Sequence, residues 1–335
     1  MQRMLTGRTD MRHRHWLGAL GVLASTLAAP AWAQDGSYPD RSIRIVVPFP
    51  PGGGLDIVAR VVGPKLTESW AQQVIVDNRA GASGMIGTEI AARAAPDGYT
   101  LIMGTMGNFA VNPYLFPKMP VDPLRDFAPI TLVVAVHFVL VAHPSLPARN
   151  VKELIALAKA HPGQITYASS GAGGAPHLAG ELFKRMAQVN LIHIPYKGSG
   201  PSFQDLLGGQ VSLTFDSLVQ SLPYIKSGRL RALAVLGGKR SPLVPEVPTV
   251  AESGVPGYEL TNWFGLAAPA ATPRETIAKL HADFVKALQH AEVRERLTGM
   301  GADVVGSTPE QFGAFMRTES AKWAKLVKET GIRGE

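Results

Sequence analysis

Three loops rich in glycine and hydroxyl side chains carry the clearest chemistry in this sequence. They span residues 48–54, residues 169–177 and residues 196–200, and each follows a predicted strand and precedes a predicted helix. Glycine lets the backbone approach a ligand closely, and the first turn of a helix presents unpaired N–H groups with a partial positive charge. We therefore expect the first two loops to form two anion seats that face each other across a cleft.

Two acidic residues lie near these loops, and each has two interpretations. Asp56 falls in the first turn of the helix after residues 48–54, where it either stabilises the helix end or contacts a ligand. Asp216 ends a predicted strand, where either it or Ser217 caps the next helix, or its carboxylate accepts a hydrogen bond from a ligand or a bound water. Lys197 in the third loop could be a ligand cation, although a solvated surface lysine is the commoner case.

Several kinds of chemistry are excluded or unsupported. The chain has no cysteine, which excludes thiol catalysis, cysteine-zinc sites and iron–sulfur clusters. It has no H-E-x-x-H, Walker P-loop, complete G-x-G-x-x-G or G-x-S-x-G motif, and residues 81–84 have the wrong spacing for the last of these. His177 and His193 have no partner at metal-site spacing and are expected to be structural. We therefore predict no catalytic residue, no metal site and no cofactor.

The charge is mildly basic and scattered. The chain carries 33 basic and 26 acidic side chains. Without its first 33 residues, which hold four arginines and Asp10, it keeps 29 basic and 25 acidic side chains, a net charge of +4. This balance suits attraction of anionic solutes, but there is no polybasic run of the kind that binds nucleic acid or membrane surfaces.

Residues 1–33 have the features of a signal peptide. Four arginines precede an uncharged apolar run, residues 16–29, that is too short to span a bilayer. Residues 31–33, Ala-Trp-Ala, fit the small-x-small rule for cleavage, and no twin arginine is present. We expect export by the general secretory route, cleavage after Ala33 and a mature chain of 302 residues in the periplasm.

The rest of the chain alternates between strand-like and helix-like segments, which predicts parallel sheets covered by helices on both faces. Ligands of such sheets bind beyond the carboxyl ends of the strands. Gly63 and Pro64 are expected to kink or end the first helix. The strands are predicted at residues 43–49, 74–76, 99–103, 130–142 (one or two strands), 165–168, 191–195, 211–215 and 230–236. The main helices are predicted at residues 58–66, 85–95, 151–160, 176–186, 202–207, 218–226, 274–290 and 309–330.

Short motifs through the whole mature chain resemble those of one family, the Bug-type extracytoplasmic solute receptors of tripartite tricarboxylate transporters. Each motif is short, but their number and order make the match specific. Ala80, Ala172, Gly174 and Asn108 depart from the usual pattern. The motifs lie at residues 38–43, 48–56, 78–84, 96–100, 169–171, 176–178, 193–198, 205–211, 215–216, 247–249, 263–265 and 272–273.

The resemblance implies an α/β, two-lobed periplasmic binding protein of the Venus-flytrap, type II-like class, in which each lobe is a mostly parallel sheet flanked by helices. Lobe one would combine residues 34–134 with residues 258–335, and lobe two would span residues 135–257. The ligand would be an organic acid held by backbone amides, hydroxyls and ordered waters rather than by arginine. The partners would be the two membrane components of the transporter, and the receptor is expected to be a monomer.

The sequence therefore predicts a periplasmic receptor that captures a small carboxylate, such as a di- or tricarboxylate, an amino acid or an aromatic acid. Two alternatives stay open: an exported hydrolase or isomerase acting on carboxylates, and a ligand sensor that feeds a signalling partner. The predicted ligand-binding residues are Phe49, Pro51, Gly52, Gly53, Asp56, Thr105, Asn108, Ser169, Ser170, Gly171, Gly174, His177, Tyr196 and Asp216.

Overall fold

The computed structural model describes residues 38–116 and 118–332, so the predicted signal peptide lies outside the described residues. The strands are β1 (Ile43–Val47), β2 (Val74–Asn78), β3 (Thr100–Thr105), β4 (Phe127–Val136), β5 (Phe138–Ala142), β6 (Thr166–Ser169), β7 (Ile192–Pro195), β8 (Leu213–Ser217), β9 (Arg231–Val235), β10 (Asn262–Pro269) and β11 (Ala302–Val304). The helices are α1 (Gly54–Trp70), α2 (Met85–Ala92), α3 (Asn112–Leu115), α4 (Pro123–Asp126), α5 (Val151–Ala160), α6 (Ala175–Ala187), α7 (Ser199–Leu207), α8 (Leu218–Lys226), α9 (Arg274–Gln289), α10 (Ala291–Thr298) and α11 (Pro309–Thr330).

The described strands form two sheets, and each sheet is the centre of one lobe. The six-stranded sheet has the order β11-β4-β10-β3-β1-β2, and the five-stranded sheet has the order β7-β6-β8-β5-β9. The chain leaves the first sheet after β4 and enters the second at β5, with only His137 between them. It returns between β9 and β10. The predicted fold class, two sheets flanked by helices in a two-lobed binding protein, is thereby confirmed.

The expectation that each sheet is mostly parallel is wrong. Among the pairings of named strands in the described residues, four are parallel and five are antiparallel. The parallel ones join β1, β2 and β3 in the first sheet and β6, β7 and β8 in the second. Two of the antiparallel ones arise because β10, which comes from late in the chain, inserts between β3 and β4 and runs against both. The other three pair β11 with β4 and β5 with β8 and β9.

Two further expectations differ from the structure. Helix α1 does not end at Gly63 and Pro64 but continues to Trp70. Pro64 is exposed, so the carbonyl that loses its helical partner can turn to solvent. Strand β10 has no counterpart among the predicted strands, because all eight of its residues are buried and no alternation of polar and apolar side chains marks it.

Strand β10 and helix α11 are joined by an aromatic cluster that closes the core of lobe one. Phe109 stacks on Trp263 at 6.1 Å between ring centroids, and the edge of Phe312 meets both rings at 6.0 and 5.8 Å. Gly265 lies directly under the Phe312 ring, where any side chain would collide with it. Packing of this kind fixes α11 against the sheet.

No helix in the described residues is long and apolar enough to cross a membrane.

Candidate functional site

A small cavity lies between the two lobes, at the carboxyl ends of strands from both sheets. Its volume is about 40 Å³. Its walls come from the loop between β1 and α1, the end of β3, the start of β10, the start of α6, the start of α7 and the junction of β8 with α8. These are the strand ends at which α/β sheets bind ligands. The predicted position of the site, beyond the strands and between the lobes, therefore agrees with the geometry.

A second cavity of about 210 Å³ adjoins the first. The two share Phe49, Pro50 and Ser170 as walls. The second is lined by the turn at residues 81–84 from lobe one and by Gly171, Tyr196 and their neighbours from lobe two. The two cavities thus adjoin, and each is lined by both lobes.

Helix α1 presents its N-terminus to the first cavity without a side-chain cap. Its N-cap residue is Gly53, and Gly53, Gly54, Leu55 and Asp56 all line the cavity. The first N–H groups of a helix have no intrahelical partner, so they are free to bind an anion. Asp56 itself is already engaged.

The Asp56 carboxylate organises the loop before α1. It accepts hydrogen bonds from Gly52 N at 2.9 Å, Asn78 Nδ2 at 3.0 Å and Arg60 Nε at 3.0 Å. Its charge is therefore paired, and its oxygens hold the glycine loop in place. Of the two interpretations of Asp56, this arrangement favours stabilisation of the helix end.

Helix α6 presents the second uncapped N-terminus, from lobe two. Its N-cap residue is Gly174, and Gly174, Ala175 and Pro176 line the cavity. Two hydrogen bonds fix the loop before α6. Gly173 N donates to His177 Nδ1 at 3.0 Å, and Gly171 N donates to Ser169 Oγ at 3.1 Å. Ser169 and His177 therefore shape the seat.

His177 and His193 form a stacked pair beneath this loop. Their ring centroids are 4.2 Å apart, and His193 Nε2 lies 2.6 Å from Ser169 Oγ. Burial lowers the pKa of His177 to about 4, and burial together with the neighbouring His177 lowers the pKa of His193 to about 3. Both rings are therefore neutral near pH 7. Across the described residues, no cluster of three or more His, Cys, Asp or Glu side chains could hold a metal ion.

Asp216 also lines the first cavity and does not cap helix α8. The N-cap of α8 is Ser217, whose side chain caps nothing, and the first helical amide, Leu218 N, donates to His137 O at 2.7 Å. Asp216 Oδ1 accepts from Ser217 N at 2.6 Å. Burial raises the Asp216 pKa to about 6; the hydroxyl of Ser199 and the N–H and hydroxyl of Ser217 offset part of this rise. The capping interpretation is therefore wrong for both residues.

The lobes meet through glycines around the cleft. A Cβ atom on Gly54 of lobe one would lie 2.7 Å from Ser217 Oγ of lobe two. A Cβ atom on Gly173 of lobe two would lie 2.9 Å from Leu115 Cδ1 of lobe one. Gly198 has a φ of +120° and packs directly against Pro50. These contacts leave no room for a larger residue, so the lobes are in close contact.

The predicted ligand residues fall into three groups. The first cavity is lined by Phe49, Gly53, Asp56, Thr105, Ser170, Gly174 and Asp216. The second is lined by Phe49, Ser170, Gly171 and Tyr196. Neither cavity is lined by Pro51, Gly52, Asn108, Ser169 or His177.

Asn108 supports the site from within the core. It is fully buried, and its Oδ1 accepts from Thr105 N at 3.0 Å and Thr105 Oγ1 at 2.9 Å. It thus fixes the end of β3, where Thr105 lines the cavity. A polar residue after a strand resembled a ligand contact in sequence, but tertiary packing places it behind the wall.

Several wall residues were missed by sequence reasoning. Ser199 lies within the third predicted loop, and Ser217 received only a capping role, so both had a local signal. Asn262 and Phe264 belong to β10, which was not predicted as a strand. Only the motif at residues 263–265 pointed to this segment.

The fold and the site define a two-lobed solute-binding receptor with its ligand site in the cleft between the lobes. The family model described as "Tripartite tricarboxylate transporter family receptor" matches residues 58–332. The chain therefore belongs to the receptor family of the tripartite tricarboxylate transporters, whose members work in the periplasm.

Relatives and solved structures agree with this assignment. The chain is 41% identical to protein BugT of Bordetella pertussis over 318 residues, covering 95% of this chain and 98% of BugT. It is similar to R. palustris Rpa4515 solved with adipate, at 38% identity and a TM-score of 0.86, covering 88% and 99% of the two chains. It is also similar to MatC of Rhodopseudomonas palustris solved with bound malate, at 33% identity and a TM-score of 0.83, covering 87% and 100%.

Proposed function

We propose that this receptor captures a small organic carboxylate between its lobes and delivers it to the two membrane components of a tripartite tricarboxylate transporter. One observation carries the proposal: two uncapped helix N-termini, α1 from lobe one and α6 from lobe two, line the same cavity. None of the described residues that line this cavity is Arg, Lys or His. A carboxylate in this cavity would therefore be held by backbone N–H groups and hydroxyls. Lys197 lines the adjoining second cavity.

The relatives support this ligand class. Rpa4515 was solved with adipate and MatC with malate, and both ligands are small dicarboxylic acids. The first cavity is lined by both lobes, so a ligand there could meet one helix N-terminus from each lobe at once. We propose lobe boundaries near residues 134 and 257, where the chain passes between the two sheets, and a monomeric receptor.

A receptor role also fits better than hydrolysis. Two pairs in the described residues resemble a nucleophile and base: Ser169 with His193 at 2.6 Å, and Ser145 with His143 at 2.7 Å. The second pair lines neither cavity. Ser169 is fully buried and does not line either cavity. His193 Nδ1 has no hydrogen-bond partner among the described residues, so no acid orients the ring as it does in a catalytic triad.

A thermal-shift screen of residues 34–335 tests the proposal. The screen contains malate, succinate, adipate, citrate, L-aspartate, L-glutamate and benzoate. A ligand at a hundred times its dissociation constant stabilises by about 2.7 kcal/mol, which is easily detected. NMR of the recovered ligand should show it unchanged. No shift with any acid, or conversion of a bound acid to product, would contradict the proposal.

Ligand binding is expected to be coupled to closure of the lobes. Two anion seats on different lobes can be filled together only when the lobes are closed. Small-angle scattering should therefore give a smaller radius of gyration with a saturating acid from the screen than without it, and the forward scattering gives the mass that tests the monomer. Superimposable curves would instead indicate a site formed without lobe movement.

Export is the remaining part of the proposal. The chain is expected to reach the periplasm by the general secretory route and to lose residues 1–33. Intact mass and N-terminal sequencing of periplasmic protein should show a chain that begins at Gln34. A cytoplasmic chain that keeps its first 33 residues would argue against this localisation.

A further inference from the structure

One part of the wall of the first cavity, where Ser217 packs against Gly54 of α1, holds three buried polar atoms without a partner. They are Asp216 Oδ2, Ser217 Oγ and Asn262 Oδ1, and none has a hydrogen-bond partner among the described residues. The three residues are 3%, 2% and 3% exposed, and all line the cavity. Buried polar atoms are usually hydrogen-bonded, so three in one wall indicate groups that await a partner.

The fold does not use the Asp216 carboxylate for anything that would explain its burial. It caps no helix, and it forms no salt bridge with any described Lys, Arg or His. The other acidic residue of the cavity, Asp56, has its own cation in Arg60. Burying an unpaired carboxylate is costly, so its retention in a ligand cavity points to a partner with N–H or O–H donors.

The neighbouring groups do not supply that partner. The hydroxyls of Ser199 and Ser217 lie close enough to the Asp216 carboxylate to lower its pKa, but neither makes a hydrogen bond of good geometry to Oδ2. Asn262 of β10 contributes an amide that can turn either end to a ligand. The titratable residues that line the cavity in the described chain are Asp56 and Asp216 alone. The same cavity is thus lined by two positive helix ends and by a carboxylate that has no cation.

We propose that Asp216, Ser217 and Asn262 form a donor-binding subsite for the ammonium group of the ligand, so that the receptor prefers amino-bearing carboxylic acids over plain dicarboxylates. This inference rests on the proposed function. The ligand carboxylate lies at the N-termini of α1 and α6, and its ammonium group donates to Asp216 Oδ2. A plain dicarboxylate places a second negative group against the same carboxylate.

Matched pairs of acids with one carbon skeleton test the preference. The pairs are succinate with L-aspartate, glutarate with L-glutamate, and adipate with L-2-aminoadipate. Calorimetry at pH 7.5 should show at least one amino-bearing acid that binds about ten- to a hundredfold more tightly than its partner. If plain acids bind as tightly as, or more tightly than, their amino partners in every pair, the inference is overturned while the receptor function stands. If none of the six binds, the inference is overturned as well, and the wider thermal-shift screen decides separately whether the receptor function stands.

Asp216→Asn separates a ligand contact from a structural role, because asparagine keeps the shape and loses the charge. The preference for the amino-bearing acid should disappear, and the plain acid should bind as well as before or more tightly. An equal loss for both members of a pair, or an unchanged preference, would overturn the inference. Circular dichroism and thermal melting establish that the variant is folded.

Proton release on ligand binding tests the subsite in the unaltered receptor, without the Asp216→Asn variant. An ammonium group beside Asp216 favours the ionised carboxylate, so binding of L-aspartate, L-glutamate or L-2-aminoadipate at pH 6 should release protons. Calorimetry in two buffers of different ionisation enthalpy counts them, and at pH 8 the release should vanish because Asp216 is already ionised. Proton uptake, or no exchange at pH 6, would contradict the subsite.

Discussion

Gly53→Asp is expected to abolish ligand binding while the chain stays folded. Gly53 is the uncapped N-cap of α1 and lines the first cavity. An aspartate there would accept the N–H groups that the ligand carboxylate needs and would repel its charge. Like-charge juxtaposition costs several kcal/mol, so affinity should fall by at least about a hundredfold in calorimetry.

Two further substitutions at the same position isolate the cause. Gly53→Ala adds a Cβ whose nearest neighbour, Ser199 Cβ, is 3.9 Å away, so it should bind nearly as the unaltered receptor does. Gly53→Asn caps a helix about as well as aspartate but carries no charge, so its affinity should lie between the two. The melting temperature of Gly53→Asp should be unchanged or slightly higher, since it gains a cap. Normal affinity in Gly53→Asp would show that α1 does not hold the carboxylate.

The stability of the folded chain is expected to fall steeply below pH 6.5 because of the stacked histidines. The folded pKa of His177 is about 4, below its ordinary value of 6.5. Its contribution is therefore fully present above pH 6.5 and is lost as the pH falls toward 4, because only the unfolded chain takes up the proton. Between pH 7 and pH 5 the free energy of unfolding falls by about 2 kcal/mol because of His177, and His193 lowers it further. Asp216, whose pKa is raised, partly offsets the loss.

Comparison with a variant that lacks His177 separates the contribution of this histidine from those of the other titratable groups. Urea unfolding at pH 7 and pH 5 should be measured for the unaltered chain and for His177→Asn, which keeps an acceptor for Gly173 N. The unaltered chain should lose about 2 kcal/mol more than the variant over this range. If the two chains lose the same free energy of unfolding, His177 is not held neutral by burial.

Helices whose ends are marked by capping side chains nearby in the sequence could be predicted from the sequence. Helices α5 and α11 have the predicted bounds because their first turns are defined by nearby side chains. Asn150 accepts from Glu153 N at 2.9 Å, and Thr308 and Gln311 form a reciprocal capping box. Strand β10 lacks such signals because it is buried along its whole length, and with it the mixed direction of the first sheet escaped prediction.

In the candidate site, too, the parts with a local sequence signal could be predicted and the other parts could not. The glycine loops before α1 and α6 could be located because a strand, a run of small residues and a helix follow each other along the chain. Asn262 reaches the cavity only through the insertion of β10 between β3 and β4. Asp216 lay at a predicted strand end, but whether it capped α8 depended on helix geometry that no sequence pattern specifies.

The insertion of β10 also sets the order in which the chain can fold. Phe264 pairs with Thr105 and Trp263 with Ala135, so the first sheet lacks an inner strand until the last quarter of the chain arrives. Contacts between residues so distant in sequence make folding slow, because the intervening loop must close first. If the chain is exported before it folds, as proposed above, this delay would be useful. The segment that emerges first cannot complete its own sheet, so premature folding would not obstruct its passage across the membrane.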